Sequence, residues 1–164
     1  MGPADEDEKY AKECYDLVES LGVKDVEFTG RVNVRDYLGK MDFTLLTSIS
    51  EGQPLTILES YAAHKPVITT DVGNCRELIY GNEDGFGDAG ILTHIMNIEE
   101  IAHAMVNMSI NEENRKRMGE AGYKRVNAFY RIDQMKDVYR EIYKGFSDSQ
   151  NLSWTEEPFK INGH

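Results

Sequence analysis

The chain has 164 residues, enough for one domain with a sizeable core. Its 18 basic and 29 acidic residues leave a formal charge of −11, which argues against nucleic acid or an anionic membrane surface as a general partner. No apolar run is long enough to span a bilayer, and Asp5, Glu6, Asp7 and Glu8 are the reverse of a signal peptide's basic start.

Residues 1–8 form a polar lead. Tyr10, Cys14, Leu17, Val18 and Leu21 then recur at helical spacing, with Gly22 as the stop. The alternating Val26-Glu27-Phe28-Thr29, closed by Gly30, predicts a strand feeding a loop. A two-turn helix over Val34 to Lys40 precedes a short apolar strand from Phe43 to Thr47. After the turn and helix described below, Lys65-Pro66 marks a helix end, and the β-branched Val67-Ile68-Thr69-Thr70 suits a buried parallel strand.

Asp71 to Asn74 is a turn, Cys75 to Tyr80 a short helix, and residues 81–90, rich in glycine, a loop. Ala89 to Thr93 is a last short strand. Three helices follow, Ile98 to Met108, Glu112 to Phe129 and Ile132 to Phe146, with Gly119 and Gly122 weakening the second by about 1 kcal/mol each relative to alanine. The fold expected is α/β, a Rossmann-like parallel sheet with flanking helices over residues 1–146, followed by a polar tail, 147–164.

The informative stretch is Ser50 to Ser60. Pro54 fits the first helical position, which leaves the Leu55 and Thr56 amides unpartnered at the positive end of the helix, a site that attracts anions. Glu59 lies roughly 5 Å further along the axis, where its carboxylate could accept hydrogen bonds from a ribose diol. Gly52 removes bulk where a ligand approaches, and Glu51 could accept from sugar hydroxyls. On local physics a capping box, Ser50-x-x-Gln53, with Glu59 as a solvated surface residue, explains the same letters equally well.

His64, at the end of this helix, reads as a dipole-compensating cap rather than a catalyst, and Arg76 as half of a salt bridge rather than a phosphate ligand. The histidines share no metal-ligand spacing. Cys14 and Cys75, far apart and outside any Cys-x-x-Cys motif, read as reduced thiols in a cytoplasmic protein.

Glu51-Gly52-Gln53-Pro54-Leu55-Thr56-Ile57-Leu58-Glu59 resembles the two-glutamate motif of retaining glycosyltransferases of the GT-B fold, family 4. The wording Ser48 to Pro54 followed by Thr70 to Leu78 is most similar to Pel-type exopolysaccharide glycosyltransferases. The resemblance covers roughly residues 3–146 and implies the C-terminal, donor-binding half of such an enzyme. It implies Glu51 as the catalytic residue meeting the donor sugar, Gly52 and Gln53 presenting backbone groups to sugar hydroxyls, and Leu55 and Thr56 amides on the diphosphate. Glu59 would hold the ribose, and Gly30, Arg31 and Val32 would lie beside the base. The implied chemistry transfers a hexosyl group, glucose from UDP-glucose, to a glycan acceptor in polysaccharide biosynthesis. The nucleotide diphosphate sugar is a substrate, and no metal or cofactor is implied.

The resemblance also implies parts that would lie before Met1: a Gly-Arg turn and a lysine that neutralise the diphosphate, the first strands of the sheet, and an N-terminal acceptor domain. Without a central strand, the Val26 and Phe43 strands must pair directly, borrow a neighbour from a second chain through open sheet edges, or belong to a longer protein. The last arrangement is expected, with the isolated chain inactive. The alternative is a non-catalytic binding or assembly module of the same fold.

Overall fold

In the computed structural model, which describes residues 7–149, three parallel strands form one sheet in the order β1-β2-β3. These are β1 (Thr44–Leu46), β2 (Val67–Thr70) and β3 (Gly90–Thr93), with Thr44 opposite Val67 and Val67 opposite Gly90. The helices are α1 (Glu8–Ser20), α2 (Arg35–Leu38), α3 (Leu55–Ala62), α4 (Cys75–Tyr80), α5 (Ile98–Ile110), α6 (Glu112–Phe129) and α7 (Ile132–Ser149). The expected α/β fold with a parallel sheet and flanking helices is the fold found.

Because successive strand residues face opposite sides, β2 serves two cores. Val67 joins Ile57, Tyr61, Leu78, Ile79 and Ala121, drawn from α3, α4 and α6. Ile68 on the other face joins Ala104, Met108 and Met118. All four residues of β2 are buried, which explains their unbroken apolar and threonine character.

Gly119 and Gly122 do not interrupt α6. A Cβ on Gly119 would stand 2.2 Å from the His64 carbonyl oxygen, and one on Gly122 2.3 Å from the Tyr61 ring. They are the price of close packing between α6 and α3. The helix α3 itself closes with a Schellman arrangement: the His64 amide donates to the Tyr61 carbonyl at 3.0 Å and the Lys65 amide to the Ser60 carbonyl at 2.9 Å. His64 occupies the left-handed position with φ of 56°, and its ring stacks on Tyr123, centroids 3.7 Å apart.

One expected strand is absent. Residues 26–29 form no ladder, and Val26 and Phe28 are exposed. A strand needs a partner for its backbone groups, and β1 pairs only with β2, leaving its other edge open among the described residues. Phe28 instead meets Tyr15 of α1 edge to face, centroids 4.4 Å apart. The direct pairing of the Val26 and Phe43 segments therefore does not occur. α7 runs through Ser149, beyond the expected end at Phe146, and the rest of the expected tail lies outside the described residues.

Candidate functional site at the strand ends

The candidate site is built where β1 and β2 end. The chain leaves β1 through Thr47 and Ser48, and the buried Thr70 hydroxyl donates to the Ser48 carbonyl, tying the exit of β1 to the last residue of β2. The Ser48 hydroxyl in turn donates to Glu51 Oε1 at 2.7 Å. No hydrogen bond to the second Glu51 oxygen is made by the described residues.

The turn is held from below by the loop after β2. Gly73, with φ of 51°, passes so close that a Cβ there would stand 2.1 Å from the Glu51 carbonyl oxygen and 2.7 Å from that of Gly52. The adjacent Asn74 amide donates to the Gly52 carbonyl at 2.9 Å. What Gly52 has left to offer a ligand is chiefly its amide.

Pro54 is the residue before the helix rather than its first member. Its ψ of 115° is extended, and its carbonyl accepts the Ile57 amide at 3.2 Å. Among the described residues no side chain caps α3, and the Ser50-x-x-Gln53 box does not form. The Leu55 and Thr56 amides have no hydrogen-bond acceptor among the described residues. Leu55 is 69% exposed, so this end of α3 is open to solvent.

Val32, Thr56 and Glu59 line one cleft of about 620 Å³, together with Leu38, Phe43, Ser60 and the β1 strand. The Glu59 carboxylate is exposed and makes no ion pair or hydrogen bond with the described residues. Gln53 and Leu55 line a different, largely apolar cleft of about 520 Å³ against α7, with Leu58, Ile132 and Met135. Gly30 and Arg31 precede Val32 but do not line the cleft that Val32 shares with Glu59. Thus the structure joins Val32 to Thr56 and Glu59, and separates them from Gln53 and Leu55.

Arg76 is engaged by Asp71 in an exposed ion pair. Among the described residues no group of three histidine, cysteine, aspartate or glutamate side chains could hold a metal ion. Both cysteines are free thiols, Cys75 buried and Cys14 partly so.

Sequence reasoning passed over the supports of this site. Ser48, Thr70, Gly73 and Asn74 stand among the letters that carry the family resemblance but with no role of their own, and only the meeting of segments 22 residues apart makes them a scaffold. It also passed over Arg125, 1% exposed, which grips Asp84 and the carbonyls of Leu78, Ile79 and Gly87. The available signal was its helical spacing from Met118, Ala121 and Gly122, which puts it on the apolar face of α6.

The parallel sheet with helices on both faces defines the class: an α/β domain of the Rossmann-like kind, with the turn at the carboxyl edge of its sheet. The chain belongs to the family Glycosyl transferases group 1, which matches residues 1–125. It is 29% identical over 145 residues to an uncharacterized glycosyltransferase of Methanocaldococcus jannaschii, covering 87% of this chain and 40% of that one. It is 32% identical over 129 residues to the N-acetyl-alpha-D-glucosaminyl L-malate synthase of Bacillus anthracis, covering 77% of this chain and 32% of the relative. Among solved structures, Anabaena HepE in complex with UDP-glucose superposes with a TM-score of 0.75 at 20% identity, over 85% of this chain and 38% of that one. The chain therefore spans about two-fifths or less of the length of these proteins.

Proposed function

We propose that this chain is the donor-binding portion of a retaining, family 4 glycosyltransferase, similar to the Pel-type enzymes, which moves a glucosyl group from UDP-glucose to a glycan acceptor in polysaccharide biosynthesis. The observation that carries this reading is the pairing of Glu51 and Glu59 across an α3 terminus whose Leu55 and Thr56 amides are open to a ligand. The helix end holds the diphosphate, with the partial positive charge that its unpaired amides concentrate there. Glu59 accepts from the ribose hydroxyls, and Val32, on the same cleft, lies toward the base with Gly30 and Arg31 before it. Glu51 meets the sugar, aided by the amides of Gly52 and Gln53, and supports the positive charge that develops as the bond to the diphosphate breaks.

The chain spans about two-fifths or less of these relatives' length, and by itself it is expected to bind donor without turning it over. The two free thiols, Cys14 and Cys75, support a cytoplasmic setting. Titration calorimetry with UDP tests the reading. The wild-type chain binds UDP weakly, and Glu59→Ala loses about tenfold or more in affinity, the worth of a charge-assisted hydrogen bond. Unchanged affinity in the variant overturns the ribose assignment.

A second reading, an assembly module that keeps the fold without the chemistry, draws on α7, whose Ile132, Met135, Tyr139, Ile142 and Phe146 are all exposed at helical spacing. It also accommodates self-association through the open β1 edge. A mass measurement in solution separates the two: an oligomer indifferent to UDP favours assembly.

A further inference from the structure

We propose that Ser48 is a positioning residue for Glu51, so that the sugar-dependent part of donor binding depends on the Ser48 hydroxyl while the nucleotide-dependent part does not. This rests on the donor-binding reading given above and extends it to a residue outside the two-glutamate motif.

A glutamate on an exposed turn samples several rotamers, and ordering it costs free energy that weakens whatever it binds. Here the cost is met before a ligand arrives. The Ser48 hydroxyl occupies Glu51 Oε1 at 2.7 Å, within the range of a charge-assisted O–H···O bond. The backbone that carries this hydroxyl is itself anchored, because the Ser48 carbonyl accepts from Thr70, a residue 1% exposed at the end of the central strand. On the far side of Glu51, the Asn74 amide holds the Gly52 carbonyl at 2.9 Å, and Gly73 leaves no room beneath the turn. One carboxylate oxygen is thereby spent on the scaffold and the other is left for a ligand. Nothing in this arrangement touches the Leu55 and Thr56 amides or Glu59, which lies on a separate cleft lining with Val32. The geometry therefore separates what orients Glu51 from what would hold the nucleotide.

The test compares UDP with UDP-glucose, UDP-galactose and UDP-N-acetylglucosamine by titration calorimetry on the full chain, using wild type, Ser48→Ala and Ser48→Thr. In wild type the best UDP-sugar binds more tightly than UDP. Ser48→Ala keeps the UDP affinity within about twofold and loses most of the sugar increment, roughly five- to tenfold. Ser48→Thr, which retains the hydroxyl, restores it. Equal losses for UDP and UDP-sugar, or an unchanged increment in Ser48→Ala, overturn the positioning role while the donor-binding reading stands. A wild type that binds UDP and every UDP-sugar equally overturns it as well. A wild type that binds none of the four overturns the donor-binding reading, and the positioning role with it.

Discussion

Arg125 and Asp84, 41 residues apart, meet in a bidentate pair, Nε to Oδ2 at 2.6 Å and Nη2 to Oδ1 at 3.1 Å, with both side chains almost wholly buried. The remaining guanidinium hydrogens go to the carbonyls of Leu78 and Ile79 at 2.9 Å and of Gly87 at 2.7 Å. One side chain of α6 thus ties down the end of α4 and the glycine-rich loop before β3. Arg125→Ala leaves the buried Asp84 carboxylate without its cation and the Gly87 carbonyl without its donor, while Leu78 keeps the Tyr61 hydroxyl and Ile79 the Ala89 amide, and is expected to cost about 3–5 kcal/mol, chiefly for the unpaired charge. That approaches the whole stability of a marginal domain, so urea unfolding followed by circular dichroism should show the variant partly or fully unfolded at neutral pH.

The same pair makes stability depend on pH in a definite direction. The hydrogen bonds from Arg125 hold the Asp84 carboxyl below its usual range. A group whose folded pKa is depressed contributes stability that is full above its unfolded value, about 3.9, and is lost as pH falls through the folded value. Urea midpoints of wild type should fall through this acidic window. Asp84→Asn, which has no proton to take up there, should be less stable at neutral pH and show a shallower acid slope.

Tyr61 offers a contrast within the same cluster. Its hydroxyl donates to the Leu78 carbonyl at 3.0 Å, and burial pushes its pKa well up. Because Arg125 also donates to that carbonyl, Tyr61→Phe leaves the acceptor satisfied and should cost only about 1 kcal/mol. Thermal unfolding of the two variants side by side should separate them clearly.

Where α3 and α6 touch, substitution should fail for steric reasons. Gly122→Ala drives a methyl group to 2.3 Å from the Tyr61 ring, which has no open space to retreat into because Tyr61 is fully buried. A loss of about 1–3 kcal/mol is expected from overpacking, even though alanine favours helix by about 1 kcal/mol over glycine. A stabilised variant in chemical denaturation would show that the two helices can separate freely.

Gly73→Ala should act on the candidate site itself. The new Cβ would meet the Glu51 carbonyl oxygen at 2.1 Å in a left-handed backbone that alanine disfavours. The Glu51 turn must move, so amide hydrogen exchange at Gly52 and Gln53 should accelerate and the preference for a UDP-sugar over UDP should shrink. Unaltered exchange in both residues would mean that the loop after β2 does not brace the turn.

Much of the fold was legible in letters. Val67 to Thr70 announced a buried strand because every residue is apolar or β-branched, and Lys65-Pro66 announced the end of α3 because proline cannot continue it. The segment at Val26 shows the limit of that reading. Its alternation satisfied the pattern of a strand, yet a strand exists only with a neighbour to pair with, and pairing is not a local property. Pro54 shows a milder limit, since composition placed it at the helix start and only its ψ of 115° put it just outside.

For the candidate site, the sequence by itself determined the chemistry on offer: two carboxylates, Glu51 and Glu59, flanking a helix start, in wording that belongs to a glycosyltransferase family. The tertiary structure decided which of those groups share a cleft and what holds them. Val32 reaches Thr56 and Glu59, whereas Gln53 and Leu55 face α7. Ser48, Thr70, Gly73 and Asn74 brace Glu51 from two strands' ends. The reason is one of range: side-chain type and helical spacing act over a few residues and are written in the chain, while bracing depends on contacts between segments that the sheet alone brings together.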